Sequence, residues 1–263
     1  SFTEAGNVDE AQTFVQRVAQ RTGKTARNFG RAGYMPPVEL VVLRRYALAM
    51  EPGVVVWQIA EANDLEESAK YARWLEAGRP PYRITIEQDL SRGDAWRRRS
   101  PTHRLYDALR APAPWPLRGS LASAGGGALP MRFLTTPDRR HTPEGHPGWP
   151  VLADALRAGA AECRARDVRL IVLFVPMKIR AVGPHVRWAD EARPLLGGEA
   201  LGASPFAARL DALCAQLDVA FVDATAALSQ AAAEGVAVYL PFDTHLAPEG
   251  HAVVADLLTP MVE

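Results

Sequence analysis

A serine hydroxyl is a poor nucleophile until an imidazole takes its proton and a carboxylate orients that imidazole. This chain carries the three groups at its two ends. Ser1 opens the run Ser1-Phe2-Thr3-Glu4, and Asp243-Thr244-His245 stands near the other end, followed by Leu246-Ala247-Pro248-Glu249-Gly250-His251. In an extended segment, residues two apart point the same way. A modest turn then brings the Asp243 carboxylate to Nδ1 of His245 while Nε2 faces the serine. A lone histidine is ordinarily a surface or core residue; the acid at this spacing is what favours a catalytic one. His251 falls in line with Val254 and Leu258 at helical spacing and is expected to pack on its own helix.

Acyl transfer also builds negative charge on the former carbonyl oxygen, and N–H donors must be aimed at it. Two segments stand where predicted strands end: Asn28-Phe29-Gly30-Arg31-Ala32-Gly33 and Glu61-Ala62-Asn63-Asp64. Glycine allows close approach of the backbone to a substrate, although taken alone the two glycines only turn the chain. Asn63-Asp64 alone reads as a helix N-cap, with Glu66 and Glu67 suited to the first turn. Both readings hold if Asn63 faces the site and Asp64 caps. Ser1 by itself is weak, and a second chemistry competes for it, because amino-terminal nucleophiles use a free α-amine as base. That class uses mostly antiparallel sheets and leaves Asp243 and His245 without a task.

The elements that must position these residues follow from the hydrophobic pattern. A helix is predicted over 9–21, with Phe14, Val15 and Val18 on one face, and a short strand over Ala26–Phe29. A helix with Leu40, Leu43 and Leu48 follows, Pro36-Pro37 sitting in its first turn. Val54–Ile59 is an apolar run without alternation, the mark of a strand covered on both faces. Val168–Val175 repeats that pattern after a helix over 151–166, and Val219–Val222 repeats it after one over 205–216. A last helix is predicted from Pro248 to Leu258. Strands alternating with helices of this length argue for a parallel, doubly wound sheet. Residues 65–147 break the rhythm: inserted helices over 65–110, including Arg97-Arg98-Arg99 as a solvated face, then an irregular surface excursion over 111–147 with Gly125-Gly126-Gly127.

Composition narrows the classes. With 263 residues and 48% hydrophobic content, one large domain with an insertion is expected. Thirty basic residues balance thirty acidic ones, which leaves no global field for nucleic acid or an anionic membrane surface. Cys163 and Cys214 are too few for a disulfide framework or a zinc site and read as isolated core cysteines. His103, His141, His146 and His185 show no metal-ligand spacing, and a dinucleotide fingerprint and phosphate loop are absent, so neither cofactor nor metal is expected. Lys178, just past the 168–175 strand at the edge of the proposed site, is expected at the surface, with lining of the pocket as the alternative.

Ser, Gly, Asn and His blocks in that order, in an α/β chain, resemble the SGNH (GDSL-like) hydrolase superfamily. The one-residue spacing of Asp243 and His245 resembles the alginate-type O-acetyltransferase branch. Glu61 stands where the family's third block, Gly-x-Asn-Asp, has glycine. The resemblance implies a three-layer α/β/α flavodoxin-like sheet whose first, central strand ends just before Ser1, outside residues 1–263. It implies Ser1 as nucleophile, His245 as base and Asp243 as its orienting acid, with the oxyanion held by the Ser1 and Gly33 N–H groups and Asn63 Nδ2. The expected substrate is a small-molecule or carbohydrate ester. Water as acceptor makes an esterase, and a sugar hydroxyl makes an O-acetyltransferase. A non-catalytic carbohydrate-binding or assembly module on the same fold is the reading from another class. The family leans towards an extracytoplasmic location, with any membrane anchor upstream of Ser1.

Overall fold

In a computed structural model of the chain, residues 2–78, 117–133, 141–189 and 201–263 are described. In chain order the elements are α1 (Phe14–Thr22), α2 (Pro36–Val42), β1 (Val54–Ala60), α3 (Asp64–Glu76), β2 (Leu117–Ala122) and β3 (Ala128–Phe133). They continue with α4 (Gly148–Arg164), β4 (Arg169–Val175), α5 (Lys178–Val182), β5 (Val186–Trp188), α6 (Pro205–Leu217), β6 (Ala220–Asp223), α7 (Thr225–Ala233) and α8 (Pro248–Val262).

Three strands form a parallel sheet in the order β1-β4-β6. Its middle strand explains the uninterrupted apolar run seen in the sequence. Leu170, Val172 and Phe174 of β4 pack with α4 and α6, whereas Ile171, Leu173 and Val175 face the opposite way, towards α7 and α8. A strand buried on both faces has no polar side to show. The fold is therefore the α/β/α sandwich expected of the SGNH hydrolase-like class. Register fixes its working edge: Ala60, the last residue of β1, pairs with Val175, the last of β4. In parallel sheets ligands bind outside these carboxyl ends.

The structure departs from the sequence expectations in four places. Ala26–Phe29 forms no strand; Arg27 and Asn28 are exposed, and no described strand pairs with the free edge of β1. Between that edge and the 24–30 segment lies a cavity of about 900 Å3, lined by Val18, Phe29, Val42, Val54, Val56 and Leu258 among others. The helix predicted over 9–21 divides into a 3-10 turn (Glu10–Gln12) and α1, because Thr13 stays extended and caps α1 by accepting from Gln16 N–H at 3.3 Å.

Residues 65–76, read as the start of an insertion, complete α3, whose buried Leu65 and Ala69 belong to the sandwich. Gly148 lets α4 close on it, since a Cβ there would stand 2.0 Å from the Leu65 carbonyl oxygen. The 117–133 part of the supposed surface excursion is a β-hairpin, joined antiparallel to β5 in the order β3-β2-β5. Its Leu117, Leu121, Met131 and Phe133 are core residues. The alternation Leu117-Arg-Gly-Ser-Leu121 and Leu129-Pro-Met131-Arg-Phe133 is the period-2 signal for a half-buried strand. Flanking proline and glycine masked it. Arg97-Arg98-Arg99 and His103 lie outside the described residues. Cys163 and Cys214 are buried and unbridged, and burial pushes their thiols up to about 11 and about 12.

Candidate active site

The acid and base sit on a tight turn leading into α8. Tyr239 and Leu246 form an isolated antiparallel bridge, and the N–H of Leu240 donates to the His245 carbonyl at 3.0 Å. Ala247 N–H donates to the Val238 carbonyl at 3.0 Å, which holds the base of the turn. Within it, Asp243 Oδ1 lies 2.5 Å from His245 Nδ1 and accepts the backbone N–H of His245 at 3.0 Å. Partial burial works to raise the Asp243 carboxyl, but these hydrogen bonds outweigh it and hold it below its usual value. An ionised carboxylate can only accept, so the proton of a neutral His245 is on Nδ1 and its Nε2 lone pair is free. The imidazole is partly open to solvent, with 26% of its side chain exposed.

The start of the chain abuts this pair. The Phe2 ring stands 4.9 Å from the His245 ring, centroid to centroid. Asn7 Nδ2 donates to the second carboxylate oxygen of Asp243 at 3.4 Å. Thr3 Oγ1 reaches Gln58 of β1 at 2.9 Å, and Asn28 Nδ2 donates to the Thr3 carbonyl at 2.7 Å. Gly30 permits that contact, for a Cβ there would be 2.5 Å from Thr3 Cβ. Gly33 follows at φ +80°, where its would-be Cβ meets nothing. Backbone conformation, rather than crowding, calls for glycine at 33. Ser1 itself lies outside the described residues.

The turn from β1 to α3 brings Asn63 to the same edge. Asn63 occupies the N-cap position but makes no capping bond with its side chain. Among the described residues no partner bonds its amide, and neither Asn63 nor Gly33 bonds Asp243 or His245. Asp64 does not cap in the expected way either. It is the first helical residue, and its buried carboxylate accepts the Ala60 N–H at 2.7 Å. Burial pushes it up to about 7, and burial followed by the charge of Asp64 pushes nearby Glu39 up to about 8. Glu61, in the place of the family's glycine, needs no left-handed backbone. Its carboxylate is fully buried and accepts from Met177 N–H (2.9 Å), Ser204 Oγ (2.6 Å) and the Arg180 guanidinium (2.7–2.9 Å).

Lys178 is not the surface residue that the sequence favoured. It is 3% exposed, and its ammonium donates to the carbonyls of Leu240 (2.6 Å), Arg132 (2.8 Å), Pro241 (2.9 Å) and Asp243 (3.1 Å). Because Lys178 follows β4 directly, the Asp243–His245 turn lies at the carboxyl edge of the sheet, as Asn63 does. No signal in the sequence marks this lysine, since its partners are main-chain atoms remote along the chain. Phe2 and Asn7 were equally silent. His251 is buried as expected, stacked on Phe14, with its Nδ1 accepting the Phe14 N–H at 3.3 Å. His141, His146 and His185 bond separately, to the Ala62 carbonyl, near Glu66 and to Ser229. Among the described residues no group of three His, Cys, Asp or Glu is placed to hold a metal. No helix among them is long and apolar enough to cross a membrane.

A parallel α/β/α sandwich with an acid–base pair at its carboxyl edge defines a hydrolase-like class, and the family comparison agrees. Residues 133–263 match the family model of the SGNH hydrolase-like domain of acetyltransferase AlgX. The match covers the part that carries β4, β6, Asp243 and His245, which is therefore similar to that SGNH hydrolase-like domain; Gly33 and Asn63 lie outside it. No curated protein matches the chain.

Proposed function

We propose that the chain carries a serine acyl-transfer site in which Ser1 Oγ attacks an ester carbonyl, His245 takes the serine proton and Asp243 orients the imidazole. The observation that carries this reading is the 2.5 Å contact between Asp243 Oδ1 and His245 Nδ1, with Phe2, the residue next to Ser1, packed on the same imidazole. The N–H groups of Ser1 and Gly33 and the Asn63 amide supply the oxyanion donors. An open glycine backbone at 33 and an amide at 63 that bonds no described residue suit that task. Collapse of the tetrahedral intermediate expels the alcohol, which takes its proton from His245. A second hydroxyl compound, activated by the same imidazole, then releases the acyl group.

Hydrolysis of a short-chain ester, with water as that acceptor, is the primary reading. O-acetyl transfer to a sugar hydroxyl is the second, favoured by the description of the matching family as an acetyltransferase domain. The test is turnover of p-nitrophenyl acetate by the protein and its Ser1→Ala variant, with and without an added polysaccharide acceptor. The variant is expected to lose nearly all turnover. Acetylated polysaccharide forming in place of acetate identifies the transferase. Equal rates for protein and variant sink the nucleophile assignment.

A further inference from the structure

The two halves of the proposed site are held by one short helix. α5 follows β4 and is buried throughout: Lys178, Ile179, Arg180, Ala181 and Val182 all lack solvent contact of any size. Burying two cations two residues apart is unfavourable unless each is fully partnered. Each is, and the partners differ. Arg180 grips Glu61, whose turn carries Asn63, and also donates to the Gly202 carbonyl at 2.5 Å. Lys178 gathers the carbonyls of Leu240, Pro241 and Asp243 from the acid–base turn and that of Arg132 from the hairpin.

We propose that α5 is the positioning element of the site, with Lys178 setting the Asp243–His245 turn and Arg180 setting the Asn63 turn against one rigid helix. The inference rests on the acyl-transfer reading. A lysine suits the first task because its three donors rotate freely and converge on carbonyls arriving from several directions. Arginine suits the second, since its planar fork matches a carboxylate. Desolvation pushes the Lys178 ammonium down to about 8, against the pull of the Asp243 charge. The fold thus keeps a strained cation where an apolar side chain would serve packing alone. Without it, the carbonyls of 240, 241 and 243 lose their common anchor and the turn relaxes.

The test is Lys178→Met, which keeps side-chain length and removes every donor. Misplacing a catalytic group by about 1 Å costs about 100-fold in rate, so kcat for p-nitrophenyl acetate should fall about 100-fold with KM little changed. A second readout does not depend on turnover. The Nδ1–H proton shared by His245 and Asp243 should give a far-downfield proton resonance, assigned by its absence in His245→Gln. It should be lost or broadened in Lys178→Met. If Lys178→Met does not unfold cooperatively, Lys178→Gln, which retains two donors, is measured instead and should show both changes in smaller degree. The paired Glu61→Gln/Arg180→Met variant keeps an acceptor for Met177 N–H; it should lower kcat about tenfold and leave the resonance intact. A cooperatively folded Lys178 variant with the wild-type resonance and kcat would overturn the inference, as would a paired variant with wild-type kcat. Should the unaltered protein turn over no ester, the acyl-transfer reading fails and the resonance alone decides whether Lys178 holds the turn.

Discussion

His245 and His251 stand in the same short run, Asp-Thr-His-Leu-Ala-Pro-Glu-Gly-His, yet the fold gives them opposite environments. His245 keeps one nitrogen on a carboxylate, and its other nitrogen bonds no partner among the described residues. His251, 1% exposed, lies against Phe14 and accepts a main-chain N–H instead. Burial first, then the charges of Arg17 and His245, push His251 down to about 4, so it stays neutral. The acyl-transfer reading asks the first ring to exchange a proton, whereas burial keeps the second from taking one. Residue type alone does not say which; the partner of Nδ1 does.

The largest expected effect breaks this contrast from the catalytic side. His245→Ala should lower kcat for p-nitrophenyl acetate by about 10⁴-fold or more, because members of an acid–base–nucleophile set act as a unit. His251→Gln, whose side chain can still accept the Phe14 N–H, should stay within about threefold of the parent rate at pH 7, since it adds no charge and keeps the bond. Comparable losses in both variants would erase the distinction. Next comes Asn63. If its amide donates to the oxyanion, Asn63→Ala should cost about 10²- to 10³-fold in kcat, the usual loss for one such donor. KM should hardly move. A loss under fivefold would leave Asn63 with only its N-cap position.

Acid exposes the other side of the contrast. In the unfolded chain His251 titrates near its ordinary value of about 6.5, whereas in the fold it is held at about 4. Between those values the unfolded state binds the extra proton, so stability falls as pH drops through that window and the full penalty is reached below about pH 4. A separation of this size corresponds to about 3 kcal/mol. Glu39 and Asp64 act in the opposite sense, because burial raises them and the folded state takes up protons as pH falls from about 8. The comparison must therefore be made between proteins. His251→Gln should lose less stability than the parent between pH 6.5 and 4, as read from urea midpoints; a curve that falls as steeply as the parent's would show that His251 is not held neutral by the fold.

The sequence made much of this arrangement legible, for identifiable reasons. β4 announced itself because six consecutive apolar residues, Leu170 to Val175, have one common explanation, burial on both faces. Asp243 and His245 were visible because their bond is local, formed within one turn. What stayed hidden was held by long-range main-chain contacts. Lys178 read as a surface residue because its four acceptors are backbone oxygens, which have no residue type to recognise. The hairpin over 117–133 was obscured by Pro130 and three consecutive glycines, which here make the loop that Ser123 N–H and the Gly127 carbonyl close at 2.7 Å. Asp64 misled in a finer way. Its type favours capping, but the amide of Ala60 at the end of β1 competed for it and won.

The smallest expected effect separates what orients Asp243 from what merely touches it. Oδ1 receives two donors from His245, its ring and its backbone N–H, both inside the turn. Among the described residues Oδ2 receives one, from Asn7, across an exposed 3.4 Å contact. The Asp243 side chain is 41% exposed, so water can replace Asn7 at once. A net contribution of about 0.5–1 kcal/mol or less follows for such a bond. Asn7→Ala should then reduce kcat by no more than about fivefold, with the downfield resonance of His245 unmoved. Asp243→Asn strips the carboxylate from both rings of contacts and favours the wrong imidazole tautomer, for which a loss near that of His245→Ala is expected. If Asn7→Ala instead approached the Asp243→Asn loss, the amino-terminal turn would be orienting the acid, and the local spacing of Asp243 and His245 would no longer explain their geometry.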